Sequence, residues 1–165
     1  MADKIMAVTG HRPEKVGGYS DEASKRLTTF AEEMLKFYKP EAVITGMALG
    51  WDQAVAEACR QLNIPFIAAI PFKGQESKWP RESQVHYREL LSCAKEVVEV
   101  CQPGYAAWKM QRRNEWMVCR ATRVLALWNG TSGGTAMPSG PPVMRSSLVS
   151  TIETITPRPS VAIAR

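Results

Sequence analysis

The sequence predicts a three-layer α/β domain with a mostly parallel sheet and an irregular C-terminal tail. Three observations carry this. Short apolar, often β-branched runs alternate with longer segments of helical period. Three of the five predicted strands end in glycine-bearing loops that a parallel sheet would gather at one edge. The 165 residues, 45% of them hydrophobic, suffice for one core without staples.

Residues 5–9 read as the first buried strand. A helix follows over 20–38: Ser20 can cap it, acidic residues fill its first turn, and Leu27, Phe30, Ala31, Met34 and Leu35 recur at helical spacing. Lys39-Pro40 ends it. Residues 41–45 form a second strand and 49–62 a second helix, with Ala54, Val55, Ala58 and Leu62 on one side. The third pair is a strand over 65–70 and a helix over 80–94, whose Pro80 suits a first turn. A strand over 96–101, a helix over 106–119 and a strand over 123–128 complete the alternation, with right-handed crossovers. No internal repeat or linker interrupts it. From Ala136 onward Pro138, Pro141, Pro142, Pro157 and Pro159 stand among Ser and Thr, and the helix expected to follow the fifth strand is missing. Thr151, Thr154 and Thr156 make this tail polar and β-leaning.

Composition narrows the function classes. No apolar run approaches the roughly 20 residues that span a bilayer, and the N-terminus lacks a leader pattern, so a cytoplasmic protein without a membrane partner is expected. Cys59, Cys93, Cys101 and Cys119 form no C-x-x-C pair and no ligand cluster, and read as reduced, mostly buried thiols; no metal is implied. The net charge of +5 suits an anionic ligand. The densest basic stretch holds Lys109, Arg112, Arg113, Arg120 and Arg123, and reads first as a solvated helix face.

The candidate site lies beyond the carboxyl ends of the strands. Its first loop is Thr9-Gly10-His11-Arg12-Pro13. Its second runs from Thr45, Gly46 and Met47 through Gly50 to Asp52. Its third holds Gly130, Ser132, Gly133, Gly134 and Thr135. Glycine permits close backbone approach, and a following helix N-terminus favours an anion. The hydroxyls of Thr9, Thr45, Ser132 and Thr135 are further candidate donors. His11 and Arg12 either meet a phosphate or bond neighbouring loops. Asp52 is either a ribose ligand or favourable first-turn charge. Trp79, near Gln75 and Glu76, is either a base platform or packing, as are Tyr105 and Trp108. Of Arg112 and Arg113, about 100° apart on a helix, at most one faces the site squarely. No nucleophile–base pair and no carboxylate couple stands out.

Together these loops, with Ile70-Pro71-Phe72, Gln75 and Met110-Gln111-Arg112-Arg113-Asn114, resemble the YspA/YpsA-like branch of the SLOG superfamily over about residues 4–136. The resemblance implies a Rossmann-like fold. It implies binding of a nucleotide or an NAD-derived, ADP-ribose-like ligand, as a sensor or sequestering module in phage or bacterial settings. It names no certain cofactor. It adds Arg113 and Asn114 to the candidate ligand-binding residues. Two alternatives remain open: a LOG-like N-glycosidic hydrolase, and a DprA-like binder of single-stranded DNA. The LOG glycine loop is followed by a catalytic glutamate, where this chain has Ala136, Met137 and Pro138; Glu76 and Glu115 are then the nearest carboxylates. A homo-oligomer is also a candidate. Relatives continue after the Gly-Gly-Thr-Ala stretch with Asn and a basic helix. One back-translation of 137–145, read one base out of register, gives Asn-Ala-Val-Arg-Ala-Ala-Arg-His-Ala. The expected organisation is therefore a nucleotide-binding domain over 1–136 and an atypical, frame-shifted tail over 137–165.

Overall fold

A computed structural model describes residues 4–10, 12–15, 17–127 and 151–155. Six parallel strands form one sheet: β1 (Ile5–Gly10), β2 (Ala42–Thr45), β3 (Phe66–Ile70), β4 (Glu96–Glu99), β5 (Arg123–Leu127) and β6 (Thr151–Ile155). Their order across the sheet is β4-β3-β2-β1-β5-β6. Four helices connect or flank them: α1 (Asp21–Tyr38), α2 (Trp51–Leu62), α3 (Arg81–Cys93) and α4 (Ala107–Arg120). The chain walks outward from β1 through β2 and β3 to β4, then crosses back to place β5 on the other side of β1. The order therefore reverses between β1 and β5, where an open α/β sheet forms its ligand crevice.

Strand alternation sorts the core into two layers. Met6, Val8, Val43, Phe66, Ala68, Leu125 and Leu127 pack with residues of α1, α2 and α3. Ala7, Ile44, Ala69 and Val124 point the opposite way and pack with Met117 and Ala121 at the C-terminal end of α4. The sheet is thus sandwiched between three helices and one, among the described residues.

Local chemistry sets the element ends. Ser20 Oγ accepts from Ala23 N at 3.1 Å and caps α1, whose Ala23, Leu27, Ala31 and Leu35 form a buried stripe four residues apart. Lys39 closes α1 in the left-handed region at φ 50°, its N–H donating to Leu35 O. The second helix begins at Trp51 rather than 49, because Gly50 at φ 94° holds the chain in a turn until then. Elsewhere the boundaries fall within two residues of those expected.

The tail contributes β6, parallel to β5 from Arg123↔Thr151 to Leu127↔Ile155. This strand lies in the β-leaning stretch of the tail. The 136/137 boundary and the frame-shift reading fall outside the described residues. Among the described residues no helix is long and apolar enough to cross a membrane. Of the four free cysteines only Cys59 is buried, its thiol pushed up to about 12 by burial; Cys93 and Cys119 are exposed, which corrects the expectation of mostly buried thiols. Both exposed thiols lie in the last turns of surface helices, where apolar character alone does not secure an inward position.

Candidate functional site

The loop after β2 is braced from within. Thr45 Oγ1 donates to Asp52 O at 2.9 Å and accepts from Met47 N at 3.3 Å. Asp52 Oδ2 accepts from Ala48 N at 3.3 Å, and Gln53 Nε2 donates to Met47 O at 3.2 Å. Each bond joins the loop to the first turn of α2 or to its own strand end. Together they hold Met47 at φ 59°, a left-handed conformation uncommon for a residue with a Cβ. The β1 loop closes against the same helix start. A Cβ on Gly10 would stand 2.6 Å from Trp51 Cδ1, so only glycine permits this approach.

From the other face of the sheet, α4 directs Lys109, Arg113 and Met117 inward at four-residue spacing. The helix returns antiparallel to the strands, so its first turns lie at their carboxyl ends. Two cations therefore occupy the buried face at the ligand edge, and Met117 continues that face into the core. Arg113 Nη1 donates to Gly46 O at 2.7 Å, and its Nε donates to Asn114 Oδ1 at 2.9 Å. A Cβ on Gly46 would overlap the Arg113 guanidinium. Gln75 Nε2 reaches the same carbonyl at 3.3 Å and also lies 3.0 Å from Tyr87 Oη. Lys109 Nζ donates to three consecutive carbonyls, Gln102 O, Pro103 O and Gly104 O, at 2.7, 3.2 and 2.7 Å.

The electrostatics of this edge are unusual. Among the described residues, the buried polar or charged side chains are Thr45, Asp52, Gln53, Lys109 and Arg113, and all five belong here. Arg113 acts on the buried Asp52, whereas the Lys109 ammonium is engaged by the carbonyls of residues 102–104. Burial pushes the Asp52 carboxyl up to about 6, more than the attraction of Arg113 and the Ala48 N–H pull it down. Burial also lowers the proton affinity of Arg113; nearby Arg12 acts the same way, and Asp52 and Tyr87 oppose it. Arg12 is exposed, on the loop after β1. The two guanidiniums come from separate elements, Arg12 from the loop after β1 and Arg113 from α4. Neither α2 nor α4 has a side-chain cap at its N-terminus; Asp52 stands in the first turn of α2, whereas α4 has no acidic residue in its first turn.

A separate open groove of about 680 Å³ starts at Pro13, Gly18 and Gly50 and runs outward over α2. Its carboxylates are Asp21, Glu32, Glu57 and Glu82, against Lys25. That sign disfavours an anion in this groove.

The structure brings many of the sequence candidates together in differing roles. Thr45, Asp52, Gln75 and Asn114 make bonds that brace the loops. The Met47 side chain is fully buried in the core, leaving only its backbone near the edge. Thr9, Gly10 and Arg12 line the end of β1, and Gly50 starts α2. Trp79 is half-buried and packs edge-on against Tyr87, centroids 5.3 Å apart at 84°. Glu115 is exposed beside Gln111, and Glu76 lies 3.6 Å from Arg88 Nε. His11, Gly130, Ser132, Gly133, Gly134 and Thr135 lie outside the described residues. Sequence reading missed Lys109 and Gln53. Both carried a signal: Lys109 stands four residues before Arg113, and Gln53 stands on the first turn of a helix whose neighbours are apolar. The basic stretch read as solvated divides in two: Arg112 and Arg120 are exposed, whereas Lys109 and Arg113 are buried.

Comparison with known proteins agrees with this architecture. The chain is 31% identical over 126 residues to the uncharacterized SPbeta prophage-derived protein YoqJ of Bacillus subtilis, covering 67% of this chain and 74% of that one. It is 25% identical over 148 residues to a UPF0398 protein of Brevibacillus brevis, covering 80% and 76%. Among solved structures, DNA processing protein A (DprA) of Streptococcus pneumoniae superposes with a TM-score of 0.53 at 19% identity, covering 75% of this chain. This chain matches 41% of the DprA chain, so the likeness is one of fold over part of a longer protein. With its glycine-bearing strand ends and its inward-facing helix arginine in place, the chain belongs to the YspA SLOG family, which matches residues 6–138.

Proposed function

We propose that the chain binds a phosphate-bearing nucleotide or NAD-derived ligand of the ADP-ribose type at the carboxyl edge of the sheet, as a sensor or sequestering module. The observation that carries this reading is the buried Arg113 guanidinium, held 2.7 Å from Gly46 O at the carboxyl end of β2, with the exposed Arg12 on the neighbouring β1 loop. Two guanidiniums at neighbouring strand ends favour an anion, and planar guanidinium forks suit phosphate oxygens. Arg113 is locked by its bonds to Gly46 and Asn114, so it supplies fixed charge. Arg12 is exposed and supplies an adjustable contact. The uncapped start of α2 adds backbone N–H groups beside them.

A thermal-shift series with ADP-ribose, NAD, AMP, cyclic AMP and a short single-stranded DNA tests this. A ligand that binds only the folded state raises the melting temperature by mass action. The expected result is a shift with an ADP-ribose-like compound that Arg12→Ala removes. Arg12 is exposed, so its loss leaves the fold in place. No shift with any of the nucleotides, in a folded sample, overturns the reading. A shift with DNA alone, steeply weakened by salt, would instead favour a nucleic-acid binder.

One observation favours a second reading, an N-glycosidic hydrolase. Asp52 is a buried carboxylate at the edge, raised to about 6, where it can hold or release a proton near neutrality. Release of free base from AMP or ADP-ribose, lost in Asp52→Asn with binding retained, would support it over simple binding.

A further inference from the structure

The segment between β4 and α4 is held to the rest of the edge at several points. Val100 N donates to Ile70 O and Cys101 N to Pro71 O, both at 3.0 Å, so the segment leaves β4 still paired to the end of β3. Lys109 Nζ then gathers the carbonyls of residues 102–104. Lys109 itself is only 8% exposed. Its ammonium also lies 5.7 Å from the ring centroids of both Phe72 and Trp108. Tyr105 meets Phe72 edge-on at 6.2 Å. Phe72 is buried, yet Tyr105 is 72% and Trp108 59% exposed. Two large aromatic side chains are therefore largely open to water beside a buried cation.

We infer that Tyr105 and Trp108 form the stacking surface for the nucleobase of the ligand bound at this edge. This rests on the nucleotide reading and names the residues that select a base-bearing ligand. One loop links this patch to Arg113: Phe72, which Tyr105 meets, stands three residues before Gln75, which bonds Gly46 O, the acceptor of Arg113. Two strand spacings separate β2 from β4, about 10 Å. The β1 loop with Arg12 lies one spacing further, so the span suits a ligand whose base and outer phosphate are separated by a diphosphate. Trp79 is the alternative platform, but it is half-buried and paired edge-to-face with Tyr87. The sheet order puts β5 and β6 on the far side of β1, away from this patch. Stacking on aromatic faces tolerates any base, so the surface selects for a base without reading which one.

The test compares ADP with ribosyl diphosphate, which lacks only the adenine, by calorimetric titration of the full chain. Wild type should bind ADP at least about ten-fold more tightly. Tyr105→Ser with Trp108→Ser should bring ADP to the level of ribosyl diphosphate and leave the latter unchanged. Tyr105→Phe with Trp108→Phe should keep the preference. Both positions are exposed, and an unchanged melting temperature without ligand verifies the fold of each variant. Equal binding of the two probes by wild type, or a preference that survives the double serine variant, overturns the inference and leaves the nucleotide reading standing. If neither probe binds, the inference fails, and the ADP-ribose shift with its loss in Arg12→Ala decides the nucleotide reading separately. A double variant that changes only self-association, seen by sedimentation, or only binding of an oligothymidine strand, also overturns it.

Discussion

Arg113 and Gly46 stand 67 residues apart in sequence and are joined by a 2.7 Å hydrogen bond from Nη1 to the carbonyl oxygen. The bond crosses from α4, on one face of the sheet, to the loop that leads into α2 on the other. The carbonyl belongs to the residue immediately after β2, and Gln75 from the β3 loop donates to the same oxygen. Three connections are thereby referred to one atom. A buried charged donor to a carbonyl is among the stronger hydrogen bonds, and leaving either side unmet in the interior is costly.

Gly46→Ala should destabilise the protein, because the added methyl meets the guanidinium rather than open space. Overpacking of this kind costs about 1–3 kcal/mol. In a chain of this size each 1 kcal/mol lowers the melting temperature by roughly 2–4 °C. Coupling distinguishes the cause: combined with Arg113→Ala, the Gly46→Ala penalty should largely vanish, since the obstructing group is gone. Fully additive losses in the double variant would place the strain elsewhere.

Much of the fold was legible in the sequence because strand and helix periods were clean over 5–127. The glycine-bearing strand ends located the edge, since a parallel sheet leaves few other places for such loops. What remained hidden was the division of labour among the candidates. Thr45 reads as a hydroxyl donor for a ligand, yet its hydrogen goes to Asp52 O within the chain. Trp79 reads as a platform, yet the start of α3 turns it onto Tyr87. Lys109 was submerged in a basic run. Only the helix phase, which buries one residue in four, separates it from Arg112. Such outcomes depend on which loop packs beside which helix, and periodicity does not encode that.

Lys109→Met should loosen the segment over 102–104 more than it destabilises the whole chain. Methionine preserves the apolar stem and much of the packing against Phe72 and Trp108. It removes the donor of three carbonyls, so about 1–3 kcal/mol is expected to be lost. Hydrogen exchange should accelerate in residues 100–106 while the central strands β1 and β2 stay protected. Equal acceleration in β1 would mean that the ammonium supports the global fold rather than this segment.

Arg12→Ala and raised salt should act on the same quantity. If Arg12 and Arg113 face one anion, ADP-ribose affinity should fall with ionic strength in wild type, because exposed charge is screened within about 8–10 Å. The variant should bind more weakly and with a shallower salt dependence. Arg112→Ala, on the exposed face of α4, should change neither. An unchanged salt slope in Arg12→Ala would remove that side chain from the ligand contact.

Asp52 sets the direction of one pH effect. Its carboxyl titrates at about 6 in the folded chain, against an ordinary value of 3.8, because burial outweighs the attraction of Arg113. Between these values the folded state holds a proton that the unfolded state has released. The contribution of this group to stability is therefore greatest below pH 4 and declines as pH rises to 6, by on the order of 3 kcal/mol. Glu57 runs the other way: the hydrogen bonds from Arg60 and Gln61 hold its carboxyl below the usual range, so its contribution is lost as pH falls. Asp52→Asn isolates the first effect, since the amide oxygen can still accept from Ala48 N and carries no charge at any pH. The urea midpoint of the variant, relative to wild type, should rise as pH goes from 4 to 7. A relative midpoint that falls over the same range would mean that Arg113 holds Asp52 ionised throughout. Asp52 and Arg113 would then stand as an ionised buried pair.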